Sequence, residues 1–187
     1  MSATLIAAGQ EGRFRTLINR GDSDSPGATW FRTVGRPELD RAYRLAGFIL
    51  GDAREAEDAT QDALIRAWRQ KRSLRRVESA QAWFDRILVN VCRDRLRRRR
   101  PVVRWTDVDA AVPSVAADPF AAMLARDAVL RALPTLSADH RIVLVLRFWA
   151  DLPVEAIAER LRIPAGTAKS RLHYATQALR DALEPPR

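Results

Sequence analysis

Ser170, His173 and Tyr174 are spaced so that a helix would carry them on one side, with Gly166 and Gln177 extending the row and Lys169 and Arg171 flanking it. At 100° per residue the row lies opposite an apolar stripe. Its groups are short hydrogen-bonding side chains, suited to reading base edges, and the cations on its shoulders are placed for phosphates on either wall of a groove. A helix lying in the major groove of DNA needs this division of labour. The plainer alternative is a solvated face on a pair of packed surface helices.

Two elements must position that row, both within DLPVEAIAERLRIPAGTAKSRLHYATQALRDAL (151–183). Val154, Ile157, Ala158 and Leu161 recur at i, i+3, i+4 and i+7, which predicts a short amphipathic helix with Pro153 in its first turn. The helix is expected to stop by Arg162, since Pro164 disfavours a helical residue before it. Pro164 then opens a longer helix with Ala168, Leu172, Ala175, Leu179 and Ala182 turned inward. The unit is a helix-turn-helix.

A second pattern precedes it. A helix from about Ser79 to Arg100, stopped by Pro101, has a buried stripe of Ala80, Phe84, Ile87 and Val91, with Trp83 and Leu88 beside it. Arg86, Arg93, Arg97 and Arg100 fall on the far side, and Arg95, Arg98 and Arg99 thicken the charge at its end. A cationic run that continues a patterned, aromatic-bearing helix suits a nucleic-acid backbone better than solvent alone. Upstream, residues 30–50 predict a helix bent near Pro37. Asp52 is placed to cap another over 53–71, its first half crowded with Glu55, Glu57, Asp58 and Asp62.

The chain has 187 residues and a formal charge of +9, and Lys71 and Lys169 are its only lysines. Arginine binds phosphate in a planar, bidentate way, so the balance favours a nucleic-acid partner, although GC-rich coding would also enrich arginine. One cysteine, Cys92, excludes an intramolecular disulfide and a cysteine-cluster zinc site; it reads as a small core residue. No metal, cofactor or catalytic role is expected, because His140 and His173 stand alone and the carboxylates of 55–62 alternate around a helix. No apolar run reaches membrane-spanning length and no secretory pattern opens the chain, so membrane insertion is not expected and a cytoplasmic location is.

Between Arg104 and Arg126 there is no cation, while Asp107, Asp109 and Asp118 lie among Pro, Ala, Val and Ser. This acidic stretch divides the chain. The expected layout is a variable leader (1–28), a first helical domain (29–100), an extended linker (101–118), a helix-turn-helix domain (119–184) with Ser137 capping one of its helices, and a tail (185–187). Without useful strand-like alternation, the fold class is all-α, two small helical domains.

Several segments together resemble the sigma-70 family of bacterial RNA polymerase sigma factors, specifically the compact extracytoplasmic-function group. LGDAREAEDATQDALIRAWR (50–69) carries the most specific part of the likeness; AWFDRILVNVCRDRLRRRR (82–100) is similar to the promoter-melting and promoter-binding helix. ALPTLSADHRIVLVLRFWADLPVEAIAERLRIPAGTAKSRLHYATQALR (132–180) follows the C-terminal domain almost position for position. The resemblance implies a first domain that docks on the clamp of the polymerase large subunit through Asp58, Gln61, Asp62 and Arg66. Its next helix would meet the minus-ten element through Asn90, Arg93, Arg97 and Arg100, with Trp83 read either as a base-stacking platform or as core.

The second domain would read the minus-thirty-five element, with Ser170, His173 and Tyr174 facing bases and Thr167, Lys169 and Arg171 on the backbone. Thr167 has a second reading as a helix cap. The partners so implied are core RNA polymerase, including its flap region, promoter DNA and an anti-sigma factor. Three positions depart from the family pattern: Tyr174 where arginine is frequent, Arg162 where glycine is frequent at the turn, and LRRVESAQ (74–81), which lacks a glycine-containing pattern. The alternative is a stand-alone helix-turn-helix regulator binding a palindrome as a dimer, which leaves the acidic helix at 53–71 unexplained.

Overall fold

A computed structural model describes residues 36–74, 80–98 and 127–184. The leader, the 101–118 linker, Arg99 and Arg100 lie outside the described residues, as do the expected helical turns at 30–35 and the start at Ser79. Among the described residues the main α-helices are α1 (Arg36–Leu50), α2 (Ala53–Arg69), α3 (Ala80–Arg98), α4 (Ala138–Phe148), α5 (Val154–Leu161) and α6 (Ala165–Leu183). Short 3-10 turns occupy Lys71–Ser73 and Leu133–Thr135, the latter following helical residues 127–132. No strand occurs among the described residues, in accord with the all-α expectation.

Local chemistry explains the boundaries. Gly51 closes α1 with φ 70°, a left-handed conformation that glycine adopts without a Cβ clash. Asp52 starts α2 as expected, its Oδ1 accepting from the Glu55 N–H at 2.8 Å. Ser137 does the same for α4, accepting from the His140 N–H at 3.2 Å.

α1, α2 and α3 pack on one another, and an alanine seam lets α1 and α2 come close: Ala42, Ala46, Ala56, Ala59, Ala63 and Ala67 are fully buried. Thr60, also buried in α2, donates its hydroxyl to the Ala56 carbonyl at 2.7 Å, which satisfies it inside the seam. Phe84, Leu88 and Val91 of α3 complete this core, and Cys92 is buried as expected. In the second block α4, almost wholly buried from Arg141 to Leu146, supports α5 and α6.

The helix-turn-helix turn is a Schellman motif. Ile163 donates to the Ala158 carbonyl at 3.0 Å and Arg162 to the Glu159 carbonyl at 3.2 Å, with Arg162 itself left-handed at φ 54° and ψ 49°. The helix therefore ends where expected, but the cause is Arg162's own conformation rather than the restriction Pro164 places on Ile163. A side chain at such a φ costs about 1–2 kcal/mol relative to a right-handed conformation. Arg162→Gly is expected to stabilise the protein by about 0.5–1 kcal/mol, glycine's greater freedom when unfolded offsetting part of the relief. A urea midpoint that stays put or falls would show the turn to be unstrained.

The two blocks are not held apart. Buried residues of α1 to α5 and the first half of α6 form one continuous cluster, and α3 lies against both α4 and α5. Phe48 of α1 meets Trp149 beyond α4 with ring centroids 4.3 Å apart. Arg141 of α4 donates to the Ile49 carbonyl of α1 at 3.1 Å and to the Pro134 carbonyl at 2.6 Å.

Candidate nucleic-acid interface

The inward face of α6 is anchored by Ala168 and Ala175, both buried, with Leu172 and Leu179 half-buried. Ala182, expected inward, is exposed, because α6 by then runs past the end of the block that supports it. The opposite face emerges intact: Gly166, Thr167, Lys169, Ser170, His173, Tyr174 and Gln177 are all exposed, and Arg171 is half-buried on the flank. Tyr174 is 61 % exposed and meets the His173 ring edge-on, centroids 5.5 Å apart. That contact holds two aromatic hydrogen-bonding groups outward at little entropic cost.

Thr167 caps nothing, since Pro164 occupies the N-cap position of α6 and no side chain caps the helix; the Thr167 carbonyl instead accepts from the Ser170 hydroxyl at 3.1 Å. The first turn of α6 has no acidic residue, so its free N–H groups and dipole present unneutralised positive potential to an anion. At Gly166 an added Cβ would meet nothing within 4 Å. Gly166→Ala is thus expected to stabilise the isolated protein by about 0.5–1 kcal/mol through helix propensity, while weakening DNA binding where the backbone must approach phosphate closely. Denaturation and binding titrations on the same variant check both signs; tighter DNA binding would remove the close approach.

On α3, Asn90 and Arg97 are exposed and Arg93 is half-buried, along one stripe at i, i+3 and i+7. Arg93 donates to the Asn90 side-chain carbonyl at 3.4 Å and its Nε lies 3.1 Å from Asp139 of α4. Trp83, two turns before Asn90 on that stripe, is 8 % exposed and its indole N–H donates to the Ser73 hydroxyl at 3.0 Å. In this form its ring belongs to the core, and no ring face is open to a base.

Among the described cations at the end of α3, Arg97 and Arg98 are exposed but Arg95 is not free. Arg95 is bound by two carboxylates of α2, Glu55 at 3.1 Å and Asp62 at 2.6 Å. Burial alone would lower its pKa, but those hydrogen bonds and charges outweigh it and raise the value. Glu55 and Asp62, two turns apart on α2, therefore converge on one guanidinium rather than alternating as independent surface charges. Of the other acidic-helix residues, Asp58 is exposed, Gln61 donates to Glu57 at 3.3 Å, and Arg66 approaches Asp94 at 3.7 Å with both side chains nearly half exposed. Asp58, Gln61, Asp62 and Arg66 thus lie on accessible or partly accessible parts of α2. Tyr43 beside this region has a raised pKa, from burial first and then from Glu57 and Asp52.

Periodicity missed Asp85. Its carboxylate is fully buried on α3, accepting from Arg41 of α1 at 2.5 Å and from the Arg160 Nε of α5 at 3.0 Å. The available signal was a second apolar row on α3, Leu88, Val89 and Cys92, which marks a second covered face and puts Asp85 at its edge. No group of three or more metal-type ligands occurs among the described residues, and none of their helices is long and apolar enough to cross a membrane.

A helix-turn-helix with a polar outward face, behind a three-helix block bearing a cationic stripe, defines a modular DNA-reading protein. Residues 36–102 match the family model for sigma-70 region 2, and residues 132–181 match that for sigma-70 region 4. The chain is 37 % identical over 145 residues to the ECF RNA polymerase sigma factor SigL of Mycobacterium tuberculosis, covering 76 % of this chain and 82 % of SigL. It is 30 % identical over 181 residues to SigW of Bacillus subtilis, covering 89 % and 92 %. The fold resembles that of the Bartonella quintana sigma factor RpoE, solved in complex with the anti-sigma factor NepR, at a TM-score of 0.62 and 24 % identity over 84 % of this chain and 98 % of that one. The chain belongs to the extracytoplasmic-function group of the sigma-70 family.

Proposed function

We propose that this chain binds core RNA polymerase and directs it to promoters, α6 reading the minus-thirty-five element and α3 meeting the minus-ten element. The observation that carries the reading is the outward row on α6, Ser170, His173 and Tyr174 between Lys169 and Arg171, set on a helix whose other face is packed. Base discrimination comes from the row, and Thr167, Lys169 and Arg171 anchor the backbone. Asn90, Arg93, Arg97 and Arg100 are the residues proposed to meet the minus-ten element. For Trp83 a stacking role requires the ring to leave its place beside Ser73.

Asp58, Gln61, Asp62 and Arg66 form the polymerase-facing set on the clamp side, the second block meets the flap region, and an anti-sigma factor regulates the chain by covering these surfaces. The layout of leader, first domain, acidic linker and helix-turn-helix domain is retained as part of the proposal, as is a cytoplasmic site of action. The chain itself contributes no catalytic step: it supplies tethering, two small contact surfaces gaining from effective concentration once polymerase spaces them. The test is run-off transcription from a promoter library with core polymerase. Start-site choice that appears only when the chain is added is expected; failure to associate with core enzyme, or association without selectivity, sinks the reading.

A further inference from the structure

Of the chain's 32 basic residues all but Lys71 and Lys169 are arginines. A guanidinium stays protonated and takes no acyl group, whereas a lysine amine does, and in taking one it loses its charge. Acyl-transfer chemistry therefore finds two side-chain amines in the whole sequence, and the structure sets them in different surroundings.

Lys71 lies in the 3-10 turn after α2, half-buried, with its ammonium 3.1 Å from the centroid of the Trp68 ring. The ring covers one side of the nitrogen, and an amide formed there would forfeit the cation–π contact. Lys169, in the second turn of α6, is exposed. A helical side chain leans toward the N-terminus of its helix, and the positions one turn back are Ala165 and Gly166, both exposed, with nothing within 4 Å of where a Gly166 Cβ would stand. Room for an incoming donor is left on that side. The other cation flanking the reading row is placed differently: Arg171 is half-buried and approaches Asp139 of α4 at 3.6 Å, whereas no ion pair among the described residues engages Lys169.

We propose that Lys169 is an acylation site, at which an acyl phosphate erases the one amine charge on the reading helix. The inference rests on the backbone-anchoring role proposed for Lys169. In the step the uncharged amine attacks the carbonyl carbon of the donor; a C–N bond forms, the C–O bond to phosphate breaks, inorganic phosphate leaves and the surplus amine proton passes to water. No oxidant or reductant takes part. The product is a neutral amide with one N–H donor in place of a three-donor ammonium, so a phosphate contact is lost while the residues proposed to face bases are untouched. Binding weakens alike on every sequence, and the ranking of templates is kept.

The experiment incubates the full chain with acetyl phosphate and follows acetylation at each lysine by peptide mass spectrometry. Lys169 is expected to react about two- to fivefold faster than Lys71, the difference set by the ring contact that Lys71 gives up. Run-off transcription with core polymerase then compares treated and untreated protein on one promoter library. Acetylation should cut initiation from every template by about tenfold, and should flatten the dependence of log promoter affinity on log salt by about 0.9, one phosphate contact on duplex DNA. Lys71→Arg should show the same loss on treatment, whereas Lys169→Arg, whatever its starting level, should lose none. Reaction at Lys71 as fast as at Lys169 or faster, full activity in protein acetylated at Lys169, or an equal loss in Lys169→Arg overturns the proposal. A chain that confers no start-site choice before treatment sinks the functional reading instead, and the relative rates at the two lysines still decide whether Lys169 is the acylated site.

Discussion

Asp85→Ala is expected to lower the stability of the protein by about 3–5 kcal/mol, because it strands two guanidinium groups in a junction that offers them little else. Arg160 keeps only 10 % side-chain exposure and its remaining recorded acceptor is the Ala156 carbonyl at 3.3 Å. Arg41, 26 % exposed, retains Glu38 at 2.6 Å and recovers part of its loss through water. The wild-type carboxylate does more than pair charges: it connects α1, α3 and α5, so its removal loosens the first block and the junction together. Urea denaturation should show a lower midpoint, and separation of one transition into two would mean the blocks then unfold independently. A change below about 1 kcal/mol would show that the junction is wetter than the geometry implies.

Arg171→Ala and Tyr174→Ala are expected to fail in different ways. On the proposed reading Arg171 contacts backbone, and its truncation should then weaken initiation from every template by about tenfold, the scale of one charge-assisted hydrogen bond. Tyr174, proposed to contact bases, should on truncation reorder templates, with individual preferences moving by about 5- to 150-fold for a contact worth about 1–3 kcal/mol. Tyr174 is 61 % exposed, so folding stability should barely change and the transcription result stays clean. Run-off transcription on a promoter library measures both. An unaltered ranking for Tyr174→Ala would take it out of the reading set, and a template-specific loss for Arg171→Ala would move that residue into it.

Much of the scaffold was legible because it is built from local rules. The Asp52 and Ser137 caps, the end of α5 at the turn and the exposed row on α6 all depend on residues within a few positions of one another. What periodicity could not supply is the seam between the blocks. Asp85, Arg141 and Arg160 fall at polar positions that a single-helix pattern assigns to water, and they are buried only because another helix, distant in sequence, covers them. Arg95 and Arg93 followed the same logic: a helical wheel counted them as free cations, whereas Glu55, Asp62 and Asp139 approach them from other helices. Ala182 erred in the opposite direction, an apolar residue on the correct stripe beyond the reach of its support.

The cations named along the seam, Arg41, Arg93, Arg141, Arg160 and Arg171, are all guanidinium groups. For Arg41, burial opposes the charge but Asp85 and Glu38 prevail and raise its pKa. The Arg41 charge is therefore kept throughout the physiological range and lost only in strong alkali. Loss of the Arg41 charge thus gives the seam no trigger at physiological pH. Ionic strength does, since at about 0.15 M a charge is felt over only about 8 Å and the half-wet contacts of Asp139 are screened before the buried pair at Asp85. The outer contacts of the seam are thereby made sensitive to salt, and a urea midpoint unmoved by added salt would refute that.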